Sequence, residues 1–238
     1  LGVNTGFEDR KVCTWGCVYC QCGMGERRDF KPEEKLLSGS EIVDRVAMAL
    51  ERVGPELDSV TFAGNSEPAA HPEFPEIVRG IRALRDRRRP LHGDHWILNA
   101  LTNGTELGRA EVRAACGELD ETWVKLDCAV DRLYARLSRP VSRVATVAAH
   151  LEQLELLGGR LWIQTLLWTS PNPMLRNDTP ENFAALADAY ARLKPKQVHL
   201  TTVARETAVP GLLPLTAAEL DAFAQRVRAL GVDASVFV

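Results

Sequence analysis

Ser38 is followed at helical spacing by Ile42, Val46, Leu50 and Val53, and Glu41 stands three residues after it. That pattern predicts an amphipathic helix opened by a capping box. "DSVTFAG" (58–64) then predicts a short strand, "EFPEIVRGIRALRDRRR" (73–89) a helix, and "HWILNALTNG" (95–104) a strand closed by an Asn-Gly turn. The alternation continues with helix over 109–119, strand over 122–130, helix over 144–159 ending at paired glycines, and strand over 160–168. Thr179 and Pro180 open a helix carrying Phe183, Leu186, Tyr190 and Leu193, before the strand "QVHLTTV" (197–203). Thr216 and Glu219 cap a last helix with Leu220, Phe223, Val227 and Leu230 inside it. With a first strand near "LGVNTG", six strands alternate with helices.

Strands joined by helical crossovers form a parallel sheet, and right-handed units in succession predict an α/β fold, a partial (β/α)6 TIM-like barrel. Chemistry in such barrels gathers at the C-terminal ends of the strands. No repeat, low-complexity tract or linker breaks the pattern, so one domain over 1–238 is expected, with the long loop at 169–179 forming part of a lid.

The composition fits this size of barrel: 238 residues, 45% hydrophobic and 26% charged. A net charge of -3 gives no global electrostatic case for nucleic acid or an anionic membrane. No apolar run approaches the ~20 residues that span a bilayer, and no secretory signal is visible. A cytoplasmic protein with no membrane partner is expected, and the start at Leu1 leaves room for a longer natural N-terminus.

Candidate chemistry changes the picture at "KVCTWGCVYCQC", residues 11–22, which holds four of the six cysteines. A disulfide staple, a zinc site, a redox pair and an iron–sulfur cluster all crowd thiols. A reducing compartment disfavours the staple. Zinc on Cys13, Cys17, Cys20 and Cys22 leaves little chain to wrap a tetrahedron, and Cys22 reads as a bystander. Cys13, Cys17 and Cys20 in CxxxCxxC spacing sit just after the first strand, and a cubane on three thiolates keeps one iron open to a small molecule.

With Tyr19 as the aromatic residue of CxxxCxΦC, the chain resembles the radical SAM superfamily. "TFAGNSEPAAHPEF" resembles the superfamily's second-strand glycine-rich element. "LTNGT", "VKLD" and "LSRP" resemble their counterparts in the bacterial relatives of the wyosine-base (tRNA) synthase. The resemblance implies a [4Fe-4S] cluster on Cys13, Cys17 and Cys20, with S-adenosyl-L-methionine on the open iron. Gly64, Asn65, Ser66 and Glu67 would hold its amino group. Glycine lets backbone carbonyls approach an ammonium and Glu67 complements its charge. Ser66 departs from the usual second glycine.

The resemblance further implies an iron–sulfur oxidoreductase or transferase-like enzyme that receives an electron from a flavodoxin or ferredoxin. It would form a 5′-deoxyadenosyl radical and abstract hydrogen from a peptide, small molecule or tRNA. The second cysteine set of wyosine synthases is absent, and so is a basic domain. The rival reading is a non-catalytic zinc or iron–sulfur binding module.

The remaining candidates come from position. Alternation puts Lys125 and Asp127 on one face of the fourth strand and Cys128 on the other. Asp127 is expected at the ribose, against a plain ion pair with Lys125. Cys128 is expected either as a hydrogen-atom donor or as a small buried thiol. Tyr19, Asn103, Gln164 and Thr201 are cofactor-side candidates. Arg139 and Arg205 follow strands four and six, where an anionic substrate group would meet them. Arg85, Arg87, Arg88 and Arg89 end a helix, where cations meet the negative end of its dipole. Cys116 reads as helix core, and the histidines show no paired metal spacing.

Overall fold

The computed structural model describes residues 1–53, 57–93 and 95–238. Its main sheet is built from β1 (Gly2–Val3), β4 (Ser59–Phe62), β5 (Ile97–Thr102), β6 (Glu121–Lys125), β7 (Leu161–Thr169), β8 (Gln197–Thr202) and β10 (Ala234–Phe237). These seven strands lie in chain order, each parallel to its neighbour. A small parallel pair, β2 (Val12–Cys13) with β3 (Glu26–Arg27), closes the base of the cysteine loop. β9 (Leu213–Pro214) runs antiparallel to the end of β7.

Helices α1 (Gly39–Leu50), α2 (Phe74–His92), α3 (Ala110–Cys116), α5 (Val147–Glu155), α6 (Pro180–Leu193) and α7 (Ala217–Ala229) return the chain between strands. The single turn α4 (Asp131–Leu133) runs directly into a π-turn over Tyr134–Ser138. Sequential strand order with right-handed crossovers keeps the helices on one side, and the sheet twist curls the other side into an open barrel lumen.

The seventh strand, β10, corrects the six expected. Gly231 ends α7 at φ +78°, and only four residues of strand follow, too few to announce a period. The expected helix over 144–159 begins at Val147, behind the Thr146 cap. Both expected capping boxes form, at Ser38 with Glu41 and at Thr216 with Glu219.

Burial sorts the faces of the strands. On β7, Leu161, Ile163, Thr165 and Leu167 are buried while Trp162, Gln164 and Leu166 are half-buried. Thr165 bonds the Tyr190 hydroxyl of α6 at 2.7 Å, so the buried set faces the helices and the other set faces the lumen. One apolar core runs beneath the helices from Val3 to Ala234. Arg85 separates from its neighbours: it is buried and ion-paired with Asp120, so it takes no part in a surface patch. Among the described residues no helix is long and apolar enough to cross a membrane.

Candidate functional site

The cysteine loop leaves β1 and lies across the C-terminal ends of the central strands. Its backbone is tied mainly to one segment, because Gly16 N–H donates to Arg139 O at 3.1 Å and Val18 N–H to Leu137 O at 2.9 Å. Val141 N–H returns a bond to Thr14 O at 3.0 Å, and Trp15 bridges Pro140. The "LSRP" segment is therefore the loop's carrier. The π-turn supplies the Leu137 carbonyl, and Arg139 follows it in the left-handed region at φ 51°. From the other side Val209 N–H donates to Val18 O at 2.9 Å, and Arg205 reaches Gln21 Oε1 at 2.9 Å.

Cys13, Cys17, Cys20 and Cys22 are all free and half-buried. Cys13 Sγ accepts the Trp15 N–H at 3.5 Å and faces Asn103 Nδ2 at 3.9 Å. Burial, with the Glu67 carboxylate second, pushes the Cys13 thiol up to about 12, and burial pushes Cys17 up as well, with Cys13 adding to it. Among the described residues no three His, Cys, Asp or Glu side chains converge as a single metal ion requires. A cubane takes each cysteine on a different iron, so its thiols surround a volume instead of meeting at a point. The donor set fits three-thiolate cubane ligation better than a tetrahedral zinc.

The glycine turn ends β4 beside this loop, with the Cys22 thiol 3.8 Å from Gly64 O. Ser66 lies outside the left-handed region, so its departure from glycine strains nothing. Gly6 makes the room: a Cβ there would fall 2.5 Å from Ser66 Oγ. Asn65 Oδ1 and Ser66 Oγ are buried acceptors with no partner. Both pack toward Gly6, and the exposed part of the turn is Gly64.

Glu67 sits differently from its expected role. It is 2% exposed, and its carboxylate accepts Ala69 N–H at 3.1 Å, the Thr102 hydroxyl, and Asn103 N–H at 2.7 Å. Desolvation raises its pKa from 4.5 to about 7. Asn103 is built into the same joint, donating to Thr14 Oγ1 at 2.8 Å and accepting from Thr105 N–H at 3.0 Å. Thr14 and Thr105 lie inside the "KVCTWGCVYCQC" and "LTNGT" stretches, but neither stands out there as a candidate, because their pairing joins segments 91 residues apart.

The other candidates divide. Lys125 pairs with Asp127 at 3.0 Å and donates to Gln164 Oε1 at 3.3 Å. Asp127 is 1% exposed and takes the ion-pair arrangement, one of the two expected for it. Cys128 has no exposed surface, as a small buried thiol would. Gln164 and Thr201 are half-buried on the lumen face. Arg139 Nη1 lies 3.9 Å from Met24 Sδ, beside the loop.

The 169–179 segment is pinned rather than free. Asn177 Nδ2 donates to Leu166 O at 2.9 Å, and Trp168 Nε1 to Leu175 O at 2.6 Å. A cleft of about 1170 Å³ opens between Phe7, Phe30, Leu37, His71, Glu73 and Arg143, and neither Arg139, Arg205 nor this segment lines it.

The fold recurs in solved structures. The chain superposes on a radical SAM methyltransferase from Sphaerobacter thermophilus with a TM-score of 0.63 at 21% identity, over 98% of this chain and 67% of that one. It has the radical SAM fold. SuiB from Streptococcus suis, bound to S-adenosylmethionine, matches with a TM-score of 0.66 at 11% identity, over 96% of this chain and 49% of that one. TYW1 with a lysine-pyruvate adduct matches with a TM-score of 0.58 at 16% identity, over 92% and 70%.

Among curated proteins the chain is 23% identical over 216 residues to GTPase Obg of Brachyspira hyodysenteriae, covering 87% of this chain and 29% of that protein. It is 27% identical over 211 residues to UPF0026 protein slr1464 of Synechocystis sp., covering 82% and 67%. It is also 32% identical over 138 residues to GTP 3',8-cyclase of Mycobacterium sp., covering 58% and 35%. The chain thus spans less than a third of the Brachyspira protein. No family model matches it.

Proposed function

We propose that this chain is a radical SAM enzyme in which Cys13, Cys17 and Cys20 hold a [4Fe-4S] cluster and the Gly64–Glu67 turn receives the amino group of S-adenosylmethionine. The observation that carries this reading is the meeting of two elements at one face: the three-thiol loop, and a glycine turn with two unpartnered buried acceptors beside it. When bound, the cluster would supply the electron that cleaves the cofactor to methionine and a 5′-deoxyadenosyl radical.

The protein's own part is positioning. The exposed Gly64 end of the turn would receive the ammonium, with Asn65 and Ser66 next to it, while Glu67 stiffens the turn by joining Ala69, Thr102 and Asn103. Gln164 and Thr201 face the lumen, where an adenosine would lie. Arg139 and Arg205 flank the loop where a substrate anion would approach. The electron donor is a flavodoxin or ferredoxin, and the substrate is a peptide, small molecule or tRNA whose reacting carbon must come into near contact with the radical.

Anaerobic reconstitution tests the reading. The chain should take up about four irons. With a reductant it should convert S-adenosylmethionine to 5′-deoxyadenosine, and the combined replacement Asn65→Ala with Ser66→Gly should weaken cofactor binding tenfold or more. A chain that takes up iron and consumes no cofactor is a binding module instead.

A further inference from the structure

Tyr19 stands between two of the three cluster cysteines, and its side chain leaves the loop for the barrel. Its hydroxyl donates to Asp127 Oδ2. Its ring lies 5.3 Å from Lys125 Nζ and 5.1 Å from the Trp168 ring. Asp127 has every oxygen engaged: Oδ1 accepts Leu166 N–H at 2.7 Å and Lys125 Nζ at 3.0 Å, and its main-chain carbonyl accepts Asn177 and Asn182 Nδ2 at 3.0 and 3.1 Å. Gln164 completes the ring of contacts through Lys125.

A buried ion pair is a poor device for stability, because desolvating both charges offsets most of their attraction. What this one does is fix a geometry. Leu166 N–H, Asn177 and Asn182 immobilise Asp127, and Asp127 presents one oxygen to one hydroxyl on the cysteine loop. We propose that the Lys125–Asp127 pair anchors Tyr19, and through it sets where Cys17 and Cys20 stand relative to the barrel mouth. Tyr19 and Asp127 are then positioning residues, joined to each other. The anchor rests on contacts within the chain. Only its effect on a cluster depends on the function proposed above.

Hydrogen exchange on the full-length chain tests the anchor without a cluster. Tyr19→Phe keeps the ring and removes one hydroxyl. The loop amides of Val18, Cys20 and Gly23 are hydrogen-bonded, so their opening can be read directly. Their exchange should quicken about tenfold to a hundredfold, the worth of one hydrogen bond to a charged group, while the β5 and β8 amides stay unchanged. Asp127→Asn should quicken the same amides, and the double variant should exchange no faster than the quicker single, because both break one bond.

Anaerobic reconstitution adds a second readout. Tyr19→Phe, which leaves every charge in place, should shift the midpoint potential of the bound cluster, since the loop that carries Cys17 and Cys20 is released from the barrel. A contact that merely supports the fold would lower the amount of cluster bound and leave its potential alone. Unchanged loop exchange in Tyr19→Phe, or single effects that add, overturns the anchor. If Asp127→Asn fails to fold, Tyr19→Phe alone decides. If the parent chain takes up no cluster, the functional reading fails while the exchange result still stands for or against the anchor.

Discussion

Replacing Gly64 with alanine probes the joint between β1 and the glycine turn. An added Cβ would lie 2.2 Å from Asn4 Oδ1 and 2.7 Å from Asn4 Cγ, so Asn4 must leave. Its departure has a definable cost. Asn4 Oδ1 accepts Gly6 N–H at 3.2 Å and Asn65 N–H at 3.3 Å, and Asn4 Nδ2 donates to Phe7 O at 3.2 Å. Three bonds at about 1 kcal/mol each would total about 3 kcal/mol. Asn4 and Gly64 border solvent, so water takes over part of this, and about 2 kcal/mol remains.

For a chain of this length that loss lowers Tm by roughly 4–8 °C. Cofactor affinity should fall as well, because the displaced turn carries Asn65 and Ser66. Thermal and denaturant unfolding measure the first effect, and equilibrium binding of S-adenosylmethionine the second. Asn4→Gly removes the obstructing side chain, so the Asn4→Gly, Gly64→Ala double variant should recover about 1 kcal/mol relative to additivity. A Gly64→Ala chain within 0.5 kcal/mol of the parent, or strictly additive singles, would refute the steric account.

Alanine at Cys13, Cys17 or Cys20 should abolish iron uptake, whereas Cys22→Ala should retain it; iron content after anaerobic reconstitution decides. Glu67 is a buried acid raised from 4.5 to about 7, so the folded chain holds its proton longer than the unfolded chain. Its contribution is therefore full below pH 4.5 and lost as pH rises to 7, a change of about 3 kcal/mol. Urea unfolding of the iron-free chain across this range should show that loss relative to Glu67→Gln, and parallel curves would contradict it. Asp120→Ala should destabilise by about 2–3 kcal/mol, because Arg85 is buried and loses its charged partner while Leu98 N–H loses an acceptor; a denaturant midpoint equal to the parent's would show the pair to be inert.

Where the sequence reading succeeded and where it failed has a physical pattern. Ser38 with Glu41 and Thr216 with Glu219 were legible because a capping box closes within four residues. The central strands were legible because burial alternates along them, as it does from Leu161 to Leu167. Cys13, Cys17 and Cys20 stood out as a spacing within eight residues. The loop's attachment did not, since Leu137 and Arg139 lie more than a hundred residues away along the chain.

Asp127 was legible as a partner of Lys125, which alternation puts on the same face, and the two pair at 3.0 Å. Its other partners were not legible: Asn177 and Asn182 hold its main-chain carbonyl, and its carboxylate meets Leu166 N–H and the Tyr19 hydroxyl. Glu67 is similar. Expected to complement the charge of an ammonium, it caps the 3-10 turn over Pro68–Ala70 and bonds the chain just after β5. In both cases the residue type pointed to the right place in the fold. The missed partners come from other parts of the chain, and no local period carries that information. The acceptors left without partners, Asn65 Oδ1 and Ser66 Oγ, emerged only once every other polar group around the turn had been matched.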